Sequence, residues 1–211
     1  MFDFTNSTIP IREDLAVAFR GAWHRLAAPG TWWTGSERVA LAGVARNAYA
    51  DHTSTDSALP AAAQHAAATL GKAPAAVTED SIVSWEAQGL DTNRYVELVA
   101  VVAMTTAIDT FHRGLELKLE PLPTPQPGSP SRTVPELRAT KTKAWVPMVG
   151  PPTIPTSLSA VPAEMEALET LHGPMYLSYQ EMSDPAIQRG LSRAQMELVA
   201  GRTSAINECF F

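Results

Sequence analysis

The sequence predicts an all-α protein. Three observations carry this. Almost every organised stretch repeats its apolar residues at steps of three and four, the period of an amphipathic helix. Serine, threonine and aspartate stand before these stretches, and glycine or proline after them, as helix starts and stops require. β-branched residues are scattered, and no turn dipeptide is flanked by the alternating pattern of a hairpin.

The elements follow in order. Residues 12–28 place Leu15, Phe19, Ala22, Trp23 and Leu26 on one face, and Pro29 and Gly30 end the helix. Residues 36–52 form the next, with Ser36 expected as its N-cap. The alanine-rich run from Pro60 to Gly71 has proline at its start and glycine at its end, the usual asymmetry of a short helix. Thr78 caps the following segment, where Glu79 and Asp80 suit the positive end of the helix dipole. Residues 91–115 make the longest candidate, apolar on most sides in its middle, and are expected to be the buried central helix. From Pro121 to Pro155 proline prevents a helix, because it lacks the N–H and clashes with the preceding turn. This part reads as an extended linker. Trp145, Val146, Met148 and Val149 are too apolar to stand in water and are expected against a helical surface. Helical periodicity returns over residues 162–182 and again from Leu191, where Ser192 and Gln195 have capping-box spacing.

Composition narrows the function classes. The chain has 211 residues, 45% of them hydrophobic, and a net charge of −6. Acids and bases are mixed along it, so no basic patch points to nucleic acid. The most apolar run, residues 98–108, is shorter than the roughly 20 residues a bilayer span needs, and no membrane partner is expected. The first residues show neither a basic n-region nor an apolar core, so no signal peptide is expected. With one cysteine, Cys209, there is no internal disulfide framework. A cytoplasmic protein is the default expectation.

An internal repeat is faintly visible. At an offset of 156 residues Leu15 meets Leu171, Pro29 meets Pro185, Ser36 meets Ser192 and Arg46 meets Arg202. Phe19, Trp23 and Leu26 meet Met175, Tyr179 and Met182. The division expected from this is a helical domain over 1–120, a proline-rich linker over 121–158, and the start of a second copy over 159–211.

The chain ends in "ELVAGRTSAINECFF", with Glu197 and Cys209 separated by eleven residues. This resembles the first half of the pattern Glu, eleven residues, Cys, two residues, Cys, three residues, His of the carboxymuconolactone decarboxylase and AhpD-like alkylhydroperoxidase superfamily. Residues 96–121 are similar to the helix that follows the redox helix in that family. The second cysteine and the histidine are absent, so the chain looks cut inside the motif. In the first copy Leu41 and Thr53 stand at the Glu197 and Cys209 positions, which makes that copy catalytically degenerate. The resemblance implies two AhpD-like helical units and, in the intact protein, a thiol peroxidase, of which the present chain is expected to be an inactive fragment. Cys209 would be the first redox cysteine and Glu197 the carboxylate of its proton relay. The implied partners are a small-molecule hydroperoxide and a dithiol electron donor. A homo-oligomer is left open. No metal, flavin or nicotinamide site is visible, and no cofactor is expected. The alternatives are a lactone decarboxylase of the carboxymuconolactone type and a non-catalytic interaction protein.

Spacing adds a requirement of its own. On one straight helix Glu197 and Cys209 would lie about 18 Å apart along the axis and could not share a proton. A relay therefore needs a break between them, expected near residues 205–207, with Asn207 as N-cap of a new helix. At the start of that helix the dipole would favour the Cys209 thiolate, while Glu208 would oppose it. Without the family pattern Cys209 reads as a small buried hydrophobe and Glu197 as a solvated charge. His112 and His172 read as structural, His52 as a neighbour of the degenerate position, and Trp23, Trp32, Trp33 and Trp85 as core.

Overall fold

Capping chemistry sets where the helices begin. In the computed structural model, which describes residues 2, 4–52, 59–151, 153 and 156–207, α2 (Gly35–Tyr49) opens on Thr34. The Thr34 hydroxyl accepts from the Glu37 N–H, and the Glu37 carboxylate accepts from the Thr34 N–H. Ser36, the expected cap, lies inside the first turn. A capping box needs a side chain three residues on that can accept from the cap's N–H; Thr34 has Glu37 there and Ser36 has Val39, which cannot. α4 (Glu79–Ala87) opens on Thr78 and α8 (Arg193–Ile206) on Ser192 with Gln195, as the spacing indicates. Asp91 accepts from two backbone N–H groups at the start of α5 (Thr92–Gly114). α1 (Glu13–Ala27), α3 (Ala61–Lys72), α6 (Pro162–Met175) and the short α7 (Tyr179–Met182) complete the set. The described residues contain no strand, only the isolated bridges Thr140–Met148 and Arg189–Leu191. The chain is all-α.

α5 is the axis of the bundle. It packs against α2 and α3 and meets α1 and α6. Leu98, Ala100, Val101 and Ile108 are buried along it, facing Phe19 and Trp23 of α1 and Leu41 and Ala42 of α2. By length and composition α5 could cross a membrane, but most of its apolar surface is buried in this core. α2 and α3 come unusually close. A Cβ on Gly71 would stand 2.4 Å from the Ala45 carbonyl oxygen, and Ala63, Ala66 and Ala67 line the same contact. Small residues let two backbones approach where larger ones would hold them apart. Trp23, Trp33 and Trp85 are core residues and Trp32 packs on the core, as expected.

The proline-rich segment is not a free linker. The Trp23 indole N–H donates to the Pro121 carbonyl, and Arg46 donates to that of Glu120. The Gln126 N–H donates to Ala27, and those of Ser131 and Arg132 to Gly30 and Thr31. A chain without internal helical bonds satisfies its backbone by lying on the α1–α2 end of the bundle. Met148 is buried and Val146 packs on the core, but Trp145 is half exposed, against expectation.

The packing also does not divide at residue 158. Leu158, Ala160, Val161 and Leu171 belong to the same core as α1–α5, so α6 completes the first bundle. The helical periodicity of 162–182 is divided between two helices. α6 stops at Met175, just after Pro174, and Ser178 and Glu181 box a new start at α7. At the 156-residue offset Phe19 and Leu26 are buried, whereas Met175 and Met182 are exposed.

Candidate functional site

Glu197 sits on the second turn of α8, on its exposed side. Its Oε1 accepts 2.8 Å from the Tyr176 hydroxyl and 2.6 Å from Nε of Arg193, one turn earlier. Arg193 also donates to the carbonyls of Met182 and Asp184, which ties α8 to the end of α7. The Tyr176 hydrogen bond, then Arg193, holds the Glu197 carboxyl below its ordinary range. Burial, then Glu197, raises the Tyr176 phenol. The pair is an ionised carboxylate holding a tyrosine proton. Beside it lies a cleft of about 250 Å³ lined by Arg12, Met175, Tyr176, Arg189, Leu191 and Met196. Both arginines are already engaged. Arg12 pairs with Asp14, and Arg189 makes a two-pronged contact with Glu181 at 2.8 Å.

α8 ends at Ile206, with Asn207 as its C-cap. The helix therefore stops before Cys209. Asn207 closes this helix; the new one it was expected to cap would fall on residues 208–211. Cys209 lies outside the described residues, as do Glu208, Phe210, Phe211 and the degenerate position Thr53.

His112 is buried, with Nδ1 2.8 Å from the Ile108 carbonyl in an aromatic cluster with Phe2, Phe4 and Phe19. His172 packs edge-on against Tyr176 at 5.8 Å and beside Tyr179 at 5.6 Å. Among the described residues no group of three or more His, Cys, Asp and Glu side chains could hold a metal ion.

Among the described residues the most deeply buried charges escaped sequence reasoning. Arg38 of α2, Glu97 of α5 and Glu164 of α6 meet inside the bundle, each at most 1% exposed. Arg38 pairs with Glu97 and lies 2.8 Å from Glu164, which Arg25 of α1 also approaches at 3.3 Å. The second Glu97 oxygen accepts from the Trp32 N–H at 2.6 Å. Burial raises the Glu97 carboxyl above its ordinary value, and the Glu164 charge adds to this while Arg38 opposes it. Burial works against the Arg38 charge, but Glu164 and Glu97 outweigh it and the guanidinium stays ionised. One signal was available. Glu97 is a lone acid within the apolar run "YVELVAVVAM", and such an acid needs a buried partner. Nothing local named Arg38 or Glu164 as that partner.

No protein-family model, curated protein or solved structure matches the chain.

Proposed function

We infer that the C-terminal segment carries part of an AhpD-like thiol-peroxidase site, with Cys209 as the attacking thiol and Glu197 as its proton-relay carboxylate. The observation that supports this is the spacing of the two residues together with the end of α8 at Ile206. The helix stops between them, as a shared proton requires. Tyr176 and Arg193 keep the Glu197 carboxylate ionised and fixed in place, and for it to act as the base the proton transfer must release one of these bonds. In the proposed step the Cys209 thiolate attacks the outer oxygen of a hydroperoxide. An S–O bond forms, the O–O bond breaks, and the alkoxide leaves as the alcohol after taking a proton. Sulfur is oxidised to a sulfenic acid, which a dithiol donor would reduce through a mixed disulfide.

The test uses the single thiol. Hydroperoxide should convert Cys209 once to a sulfenic acid that a cyclic dione traps. Glu197→Gln should slow this roughly 10²-fold. No peroxide-dependent adduct would remove the peroxidase reading; an adduct formed equally fast in Glu197→Gln would remove the relay. A second reading, a non-catalytic interaction protein, is favoured by one observation. Leu198, Val199 and Ile206 of α8 are all exposed. It expects no peroxide-dependent thiol chemistry at all.

A further inference from the structure

Among the described residues nothing covers the outer face of α8. Gln195, Leu198, Val199, Arg202 and Ile206 follow one another at steps of three and four, so they lie on one side of the helix. All five are exposed, and so is Leu191, just ahead of the Ser192 cap. The four apolar members, Leu191, Leu198, Val199 and Ile206, are each between 47% and 73% exposed. The helix turns a different side to the molecule. There Met196 is buried and Arg193 reaches the Met182 and Asp184 carbonyls.

This face is complementary to itself. In an antiparallel pair of α8 helices with the two-fold axis between Leu198 and Val199, those two residues meet the same two residues of the second copy. Farther out, Gln195 stands level with the second copy's Arg202, and Leu191 comes level with its Ile206. Apolar then meets apolar and polar meets polar, as a two-fold contact of one patch with itself requires. Arg202, which has no partner among the described residues, gains an acceptor. The Gln195 side-chain oxygen already accepts from the Ser192 N–H and has a second lone pair to offer. The other antiparallel registers of this face set Arg202 against an apolar side chain or against itself, and a parallel pair in register sets it against itself. Glu197 is off this face, so the pairing does not involve its bond with Tyr176.

We propose that this face of α8 binds the same face of a second copy of the chain, as an antiparallel helix pair held by Leu198, Val199 and Ile206 and set in register by Gln195 and Arg202. This holds whether or not Cys209 reacts with peroxide. One pair of 14-residue helices, about 20 Å long, falls at the small end of specific interfaces, under about 1,200 Å². The dimer is therefore reversible, with a dissociation constant on the order of 100 μM. At the low micromolar concentrations of an unfolding experiment the chain is a monomer.

Sedimentation equilibrium of the full chain from about 5 to about 500 μM decides this, with reductant present so that Cys209 cannot link two chains. The side chains to be changed are exposed in the single chain, so the variants keep its fold. The wild type should pass from monomer toward dimer across the range, and Leu198→Glu should stay monomeric throughout. Gln195→Glu keeps the capping acceptor and offers the second copy's Arg202 a carboxylate. It should tighten the dimer at least threefold, and about 0.5 M salt should remove the gain. Adding Arg202→Glu to it sets Glu against Glu and should leave the dimer weaker than the wild type. A wild type that stays monomeric overturns the proposal, and is the result expected if another protein or further chain covers α8. So does a dimer that Leu198→Glu leaves intact, or one that Gln195→Glu fails to tighten.

Discussion

α2 and α8 are near-equals in local design and opposites in surroundings. Both open on a hydroxyl residue that makes a reciprocal capping box. They align at the 156-residue offset, where Leu41 and Ala42 of α2 correspond to Glu197 and Leu198 of α8. α2 buries Leu41 and Ala42 completely under α3 and α5, while Leu198 is 73% exposed and Met196 is the one buried residue of α8. Arg46 grips Asp109 of α5 at 2.7 and 2.8 Å; Arg202, its counterpart, is exposed and has no partner among the described residues. The comparison teaches that capping and periodicity set where a helix begins and ends, but not whether its apolar face is covered. A face is covered only if another element reaches it.

The sharpest way to break the comparison is to remove the buried charge that only the α2 side has. Arg38→Ala leaves Glu97 and Glu164 in the core without their cation, and should cost about 3–5 kcal/mol, read from the denaturant midpoint. A loss below about 1 kcal/mol would show that the carboxylates are protonated or hydrated in place. Next come the paired truncations. Leu41→Ala should destabilise by about 2–5 kcal/mol. Leu198→Ala, one position from the aligned site, should change stability by less than about 0.5 kcal/mol. Equal losses would mean that α8 is covered in solution.

The tyrosines extend the contrast to pH. Burial pushes the Tyr95 phenol up to about 12. The unfolded chain ionises it first, near 10, so its contribution is complete below pH 10. It is lost as pH rises toward about 12, on the order of 2–3 kcal/mol in all. Ultraviolet titration should show Tyr95 ionising after Tyr176 and Tyr179, whose phenols burial also raises. Smaller still are the caps. Thr34→Ala should lower global stability by about 1 kcal/mol, and Ser192→Ala should remove a similar amount. The second loss should show as faster exchange within α8, with the midpoint of the bundle unmoved. The smallest effect is at Glu181, held at about 2 by Arg189 and then by the Ser178 bonds. A lowered carboxyl stabilises above the unfolded value and loses that contribution as pH falls through the folded one. The Glu181 carboxyl resonance should therefore titrate near pH 2, and Arg189→Gln should raise its midpoint.

Much of the site's logic could be read locally and much could not. A proton shared by Glu197 and Cys209 would need a stop between them by the arithmetic of helix rise, and α8 ends at Ile206. That Tyr176 would meet Glu197 had no local sign, because Tyr176 caps the end of α6 and α7 lies between it and α8. The repeat suggested a second domain starting at 159, yet α6 joined the first bundle. Sequence similarity between segments carries no information about which neighbour a face selects.

By itself the sequence determined the helices, because capping and the 3.6-residue period act within a few residues of each position. Thr78, Ser192 and the stretch 92–114 could be read this way, and so could the proline-rich gap after Pro121. Only the tertiary structure decided that this gap lies on the bundle, that α6 inserts Glu164 beside Arg38, and that α8 remains bare. Those outcomes depend on which distant surfaces bury apolar area and pair buried charge together. That balance is summed over the whole chain, and no window of neighbouring residues contains it.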